Sequence, residues 1–314
     1  MVMRELIMPL ATGLAMFLFG MQVMRTGFEQ LFLHQVKILL EKLTRTPFTG
    51  LVTGLLVTAL LQSSSAVMLL VIGLAHGGLL PFRQTLGIIL GANIGTVLTT
   101  ELIALKWDHL ALFFFLTGAI LFLFSKEKGK KAGMVIGGFG LLLIGMDIME
   151  TATQFFNQFF WAQTAHSWVE KSSLYAVGLG TLLTAIIQSS TVCTALTMNL
   201  FASGLLSLDT AIGIVLGSNI GTCATALIGS MATNETGWKV AIAHLVFNVA
   251  GVLLFIPLIP LLGLAVTLLA DQPAVQVAHA QTLFNVVTVL AAFPFIPYWE
   301  RLVNRIAIMG HPLR

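Results

Sequence analysis

Two short strings in this chain could do chemistry: Gln62-Ser63-Ser64-Ser65 and, 126 residues later, Gln188-Ser189-Ser190-Thr191. Each interrupts an apolar run, and each glutamine is followed 31 residues later by the asparagine of GANIGT (Gly91 to Thr96) or GSNIGT (Gly217 to Thr222). A nucleophile would need a base, and no His, Lys or Asp recurs near Ser63 or Ser189 at a repeated spacing. Ion binding fits better. A serine that caps a helix start sits beside free N–H groups with partial positive charge, an anion site built without a cation. The oxygens of Gln, Ser, Thr and Asn, with carbonyls freed at a helix break, suit a hard cation. The anion candidates are Ser63, Ser64, Ser65, Ser189, Ser190 and Thr191. The cation candidates are Gln62, Gln188, Asn93, Thr96, Asn219 and Thr222, with Ser65 and Thr191 shared. GxNIGT itself reads as a second helix break facing each tip, with glycines that merely pack as the alternative.

These strings are parts of a longer duplication. Residues 50 to 100 align with 176 to 226 without a gap and with 21 identities, including Gly54/Gly180, Thr58/Thr184, Gly78/Gly204 and Gly87/Gly213. GMQVM at 20 to 24 echoes GMDIM at 145 to 149 and extends the unit towards the N-terminus. The expected units are 1–130, 131–262 and a C-terminal 263–314.

Hydrophobic residues make up 57% of the 314, charged residues only 9%, and the mean hydropathy is +0.95. That composition belongs to an all-α polytopic membrane protein, not to a soluble domain. Seven segments are long enough to span: about 6–27, 84–105, 108–125, 132–152, 208–231, 238–262 and 275–299. The segments 48–76 and 174–203 carry the QSS strings, and each is either one span or a hairpin that enters and leaves on one side. Lys and Arg concentrate on the cytoplasmic side. With two hairpins and the N-terminus outside, 13 of the 16 Lys and Arg, Arg25 among them, fall inside and Arg4, Lys106 and Lys171 outside; with two spans the split is 10 to 6. Re-entrant hairpins are therefore expected, and the repeats, separated by an odd number of spans, are inverted. Segment 29–46 reads as an interface helix, and it and 153–172 each precede a hairpin and are expected to brace it. The N-terminal apolar run reads as a retained span with no cleavage pattern.

The doubled QSS(S/T) and G(A/S)NIGT strings, with His244/Phe247/Asn248 and His279/Phe284/Asn285, resemble the type II sodium-dependent phosphate cotransporters and their bacterial relatives. The resemblance covers nearly the whole chain. It implies inward symport of inorganic phosphate with Na+ by alternating access, the QSS residues building the phosphate and sodium sites in a bacterial inner membrane. A phosphate exporter, a carrier of another oxyanion and an anion channel are the alternatives. No cofactor is expected beyond Na+ as coupling ion, and no other metal. The expected partners are phosphate, Na+ and membrane lipid, with no nucleic acid; a homodimer and a separate PhoU-like regulator are compatible. Many bacterial relatives carry a PhoU-like domain after the last span, whereas this sequence stops at Arg314. The first repeat also has Phe115 where the second has Asn248. Because no Lys or Arg is expected in the membrane core, burying a phosphate of charge near −2 calls for at least two bound cations.

Asp147 replaces Gln22 in the echo and is either a cation or proton site or a hydrogen-bonded group near the outer interface. Glu101 is expected to reach the interface. His244 and His279 are expected to hydrogen-bond the helices, with pH sensing as the alternative. Cys193 and Cys223 lie in apolar segments and read as packing residues.

Overall fold

A computed structural model describes residues 2–105, 107–153 and 168–309. Among them the regular structure is entirely helical. Polar side chains such as Gln62, Thr58, Asn93, Asn248 and Gln281 are buried, while Phe124, Leu123, Leu268 and Ile186 are mostly exposed. That is the inside-out distribution expected when lipid is the solvent. Six helices are long and apolar enough to cross: Ile7–Leu40, Phe82–Ala104, Glu127–Ala152, Leu208–Ser230, Glu235–Leu269 and Pro273–Ala307. The seventh expected span, 108–125, is a 3-10 turn at Asp108–Leu110 and a 14-residue helix, α5 (Ala111–Phe124). At 1.5 Å per residue α5 is about 21 Å long, short of the roughly 30 Å hydrocarbon core.

Helix α1 (Val2–Leu43) is continuous. No separate interface helix begins at 29, because only Gly27 intervenes and it serves packing. A Cβ on Gly13, Gly20 or Gly27 would lie 2.5–2.9 Å from the backbone of α6 (Glu127–Thr153). Small residues every seventh position let two membrane helices touch backbone to backbone. The echoed glycines Gly20 and Gly145 both lie in this contact, so α1 and α6 pair along most of their length. The brace expected at 153–172 falls largely outside the described residues.

The QSS segments each form two short helices around a tip: α2 (Pro47–Leu61) with α3 (Ser64–His76), and α7 (Ser173–Ile187) with α8 (Ser190–Ala202). Thr46 and Pro47 start α2 with a capping box and a proline at N1, and Ser172 caps α7. Gln62 and Gln188 end α2 and α7 in the left-handed region, at φ 53° and 59°. Gly78 and Gly204, at φ 73° and 69°, turn the chain after α3 and α8.

GANIGT does not break its helix, contrary to expectation: α4 runs unbroken over Phe82–Ala104. GSNIGT ends α9 (Leu208–Gly221), and a one-residue interruption at Thr222 precedes α10 (Cys223–Ser230). The glycines are there for close approach. A Cβ on Gly91 would lie 1.9 Å from the Leu51 carbonyl oxygen of α2, and one on Gly217 2.0 Å from that of Val177 on α7. Each tip is thus held by a long helix lying against its first arm. The remaining helices are α11 (Glu235–Phe255), α12 (Ile259–Leu269), α13 (Pro273–Ala292) and α14 (Ile296–Met309). Short 3-10 turns at Pro257 and Pro294 join α11 to α12 and α13 to α14, where proline removes a donor from the ladder.

Candidate functional site

Both tips meet in one small cavity. It is lined by Gln62, Ser63, Ser64, Ser65, Thr96 and Thr99 from the first repeat, by Gln188, Ser189, Ser190, Thr191 and Thr222 from the second, and by Arg25 of α1. Ser63 and Ser189 have extended backbones and cap α3 and α8, accepting from the N–H of Ala66 and Val192 at 3.2 and 3.4 Å. Two helix N-termini with their unsatisfied N–H groups therefore open at the cavity. The left-handed glutamines hold a conformation that costs a non-glycine residue about 1–2 kcal/mol, a kind of strain that concentrates at ligand sites.

Of the residues singled out in the sequence, the cavity gathers all eight tip residues with Thr96 and Thr222. Asn93 and Asn219 do not line it. Their Nδ2 groups donate to Ile89 and Val215 carbonyls, each at 3.0 Å, inside α4 and α9. Thr96 and Thr222 donate to the carbonyls of Ala92 and Asn219 at 2.9 and 2.8 Å.

Arg25 corrects an expectation: it is not a loop charge, because α1 continues past it and carries it to the tips. Its Nε donates to the Gln62 carbonyl at 3.1 Å and its Nη2 to Ser189 Oγ at 3.3 Å. A guanidinium offers five donors in a planar fork, so donors remain for an oxyanion. No sequence pattern marked it, since an arginine at the end of an apolar run ordinarily belongs to the flanking loop.

The two repeats differ at one latch. Thr99 Oγ1 donates to Gln62 Oε1, and Gln62 is buried. The equivalent Thr225 leaves Oγ1 without a partner, and Gln188 is exposed. A larger apolar cavity of about 310 Å³, lined by Phe28, Trp107, Phe114 and Phe139, abuts the Gln62–Thr99 latch.

Other candidates lie apart. Glu101 does not run free to the interface: both its carboxylate oxygens lie 3.1 Å from His279 Nδ1, and Thr282 donates to it. Asp147 lines a separate cavity with Glu150 and Asn199, away from the tips. His244 is buried with Nδ1 unpartnered. Cys193 and Cys223 are free and buried. Among the described residues no group of three His, Cys, Asp or Glu could hold a metal ion.

The chain is similar to known proteins along most of its length. The model of the Na+/Pi-cotransporter family matches residues 16–151 and 160–292. YqeW of Bacillus subtilis is 34% identical over 258 residues, 82% of this chain and 84% of YqeW. YjbB of Escherichia coli, whose name proposes inorganic phosphate export, is 28% identical over 257 residues; this chain spans 47% of its length. Sodium-dependent phosphate transport protein 2A of Oryctolagus cuniculus is 35% identical over 96 residues, 29% of this chain and 15% of that protein. No solved structure matches the chain.

Proposed function

The chain belongs to the Na+/Pi-cotransporter family, and on that premise we propose that it is a secondary transporter that moves inorganic phosphate coupled to sodium, with the substrate held between the two tips. The carrying observation is the convergence of both serine-capped tips and Arg25 on one cavity. Two helix N-termini, six tip hydroxyls and a guanidinium form a donor-rich pocket for a tetrahedral oxyanion. No carboxylate lines it, so nothing in its lining repels the anion.

Phosphate near charge −2 meets about half a positive charge at each helix end and one full charge at Arg25. Arg25 therefore lowers the number of cations that charge balance demands from the two expected for an arginine-free core. Gln62, Gln188, Thr96 and Thr222 offer neutral oxygens for Na+ beside the phosphate. The space left between the tips has room for little more than a water molecule. Substrate enters by exchanging with internal bonds, the Arg25–Ser189 contact first, as the tips part.

The latch asymmetry supports alternating access by inverted repeats. Repeat one has Thr99 bonded to Gln62 and α4 continuous, whereas repeat two has Thr225 unbonded and a helix interrupted at Thr222. In an inverted pair the opposite-facing state exchanges these conformations. A symporter's flux follows the imposed gradients, so the same site also serves export, the direction that the name of YjbB favours.

Phosphate binding to the purified chain tests the site. Affinity should fall by more than ten-fold when potassium replaces sodium, and roughly ten- to hundred-fold in Ser64→Ala or Ser190→Ala, since a hydrogen bond to a charged ligand contributes about 1.5–3 kcal/mol. Full affinity in sodium-free buffer would remove the coupling, and unchanged affinity in both serine variants would remove the site.

A further inference from the structure

A groove of about 440 Å³ opens where α11, α13 and α14 meet. Small residues make it. Ala250 and Gly251 of α11 and Ala291 and Ala292 of α13 line one cleft, where larger side chains would have interdigitated. Phe295, Tyr298 and Leu302 complete it with an exposed apolar rim. Its volume lies within the range of roughly 300–1,000 Å³ that small-molecule sites occupy. None of these residues lines the cavity between the tips, so the groove stands apart from the phosphate reading.

Helix α13 has 20 residues, about 30 Å at 1.5 Å each, and so matches the hydrocarbon core by itself. That leaves α14 at the boundary with water. Its contacts agree: Glu300 pairs with Arg83, at the start of α4, at 3.7 Å, and Phe293 packs edge-on against Phe48, at the start of α2, with ring centroids 6.3 Å apart. The residues of α14 suit an interface. Trp299, Val303 and Ala307 are buried along one face, while Tyr298, Arg301, Leu302 and Arg305 share the exposed face at i, i+3, i+4 and i+7. Arg301 Cζ lies 4.6 Å from the centre of the Tyr298 ring, at the rim of the groove. Its Nε donates to the Pro297 carbonyl at 3.2 Å, and its other donors, with all of those of Arg305, have no partner among the described residues. Glu300 is the one acid of α14 and is paired with Arg83, so the exposed face carries two positive charges.

We propose that this groove binds one negatively charged phospholipid, with an acyl chain in the cleft between α11 and α13 and the phosphate on Arg301 and Arg305. An acyl chain supplies the dispersion contacts that the small residues leave out. Guanidinium groups with unused donors match the oxygens of a phosphodiester, and Tyr298 and Trp299 stand where aromatic rings meet lipid headgroups. A lipid without net charge fills the cleft but leaves the two arginines uncompensated, and that difference sets the ligand class.

Native mass spectrometry of the full chain, released from micelles that contain phosphatidylglycerol and phosphatidylcholine with the same acyl chains, tests it. The parent should retain one phosphatidylglycerol at least about ten-fold more tightly than phosphatidylcholine, as expected for charge-assisted hydrogen bonds to the phosphate. Arg301→Gln combined with Arg305→Gln should remove that preference. Ala291→Phe, which fills the cleft and leaves both arginines in place, should instead weaken both lipids together. All three positions are exposed, and unchanged melting in lipid-free detergent checks that the variants fold. If Ala291→Phe prevents folding, the arginine pair gives the reading. The proposal is overturned if the parent retains both lipids equally, if the preference survives loss of both arginines, or if folded Ala291→Phe holds phosphatidylglycerol as the parent does. A lipid-free parental dimer that dissociates in Ala291→Phe would overturn it as well and assign the groove to a second copy of the chain.

Discussion

Arg25 is the residue on which the reading of the site turns. It joins the Gln62 carbonyl to the Ser189 hydroxyl and brings a permanent charge to the place where two capped helices begin. Arg25→Gln should weaken phosphate binding by at least about thirty-fold, the equivalent of the roughly 2 kcal/mol or more carried by a buried charged contact. Arg25→Lys should recover part of this, because a point charge persists while the planar fork is lost. Equilibrium phosphate binding at saturating sodium is the measurement, and equal affinity in both variants and the parent would remove Arg25 from the site. The tip serines and glutamines were legible in the sequence because duplication raised them above chance. Arg25 was not, because it stands next to an apolar run and counts as a loop charge unless the helix is known to continue to Leu43.

At the scale of elements, the glycines of GxNIGT set how closely α4 and α9 approach the first arms of the tips. Gly91→Ala or Gly217→Ala forces a methyl into a backbone carbonyl and should destabilise the fold by about 1–3 kcal/mol or more. Gly73→Ala on the exposed face of α3 meets nothing within 4 Å and should be neutral or stabilising by roughly 0.5–1 kcal/mol. Melting in detergent distinguishes the three; a harmless Gly91→Ala would contradict the tight α2–α4 contact. The motif was visible in the sequence, but its meaning was not. Glycine serves both backbone freedom and close approach, and only the position of Leu51 against Gly91 decides between them. Composition located the long helices well. It overestimated 108–125, where an apolar run is divided between a 3-10 turn and a helix of 14 residues.

For the whole molecule, the duplicated halves occupy unequal conformations around one cavity, and transport by alternating access requires that they exchange. Thr225 makes no side-chain hydrogen bond here, yet it should latch Gln188 in the opposite state. Thr225→Val should then slow turnover about as much as Thr99→Val, although only the latter breaks a bond in this conformation. A parental rate for Thr225→Val would contradict the exchange. The most direct test of sodium-coupled phosphate transport through the tips is radiolabelled phosphate uptake into proteoliposomes, with and without an imposed sodium gradient, for the parent chain, Gln62→Ala and Gln188→Ala. Gradient-driven accumulation by the parent and its loss in both variants is the predicted result; accumulation indifferent to sodium, or intact in both variants, would contradict it.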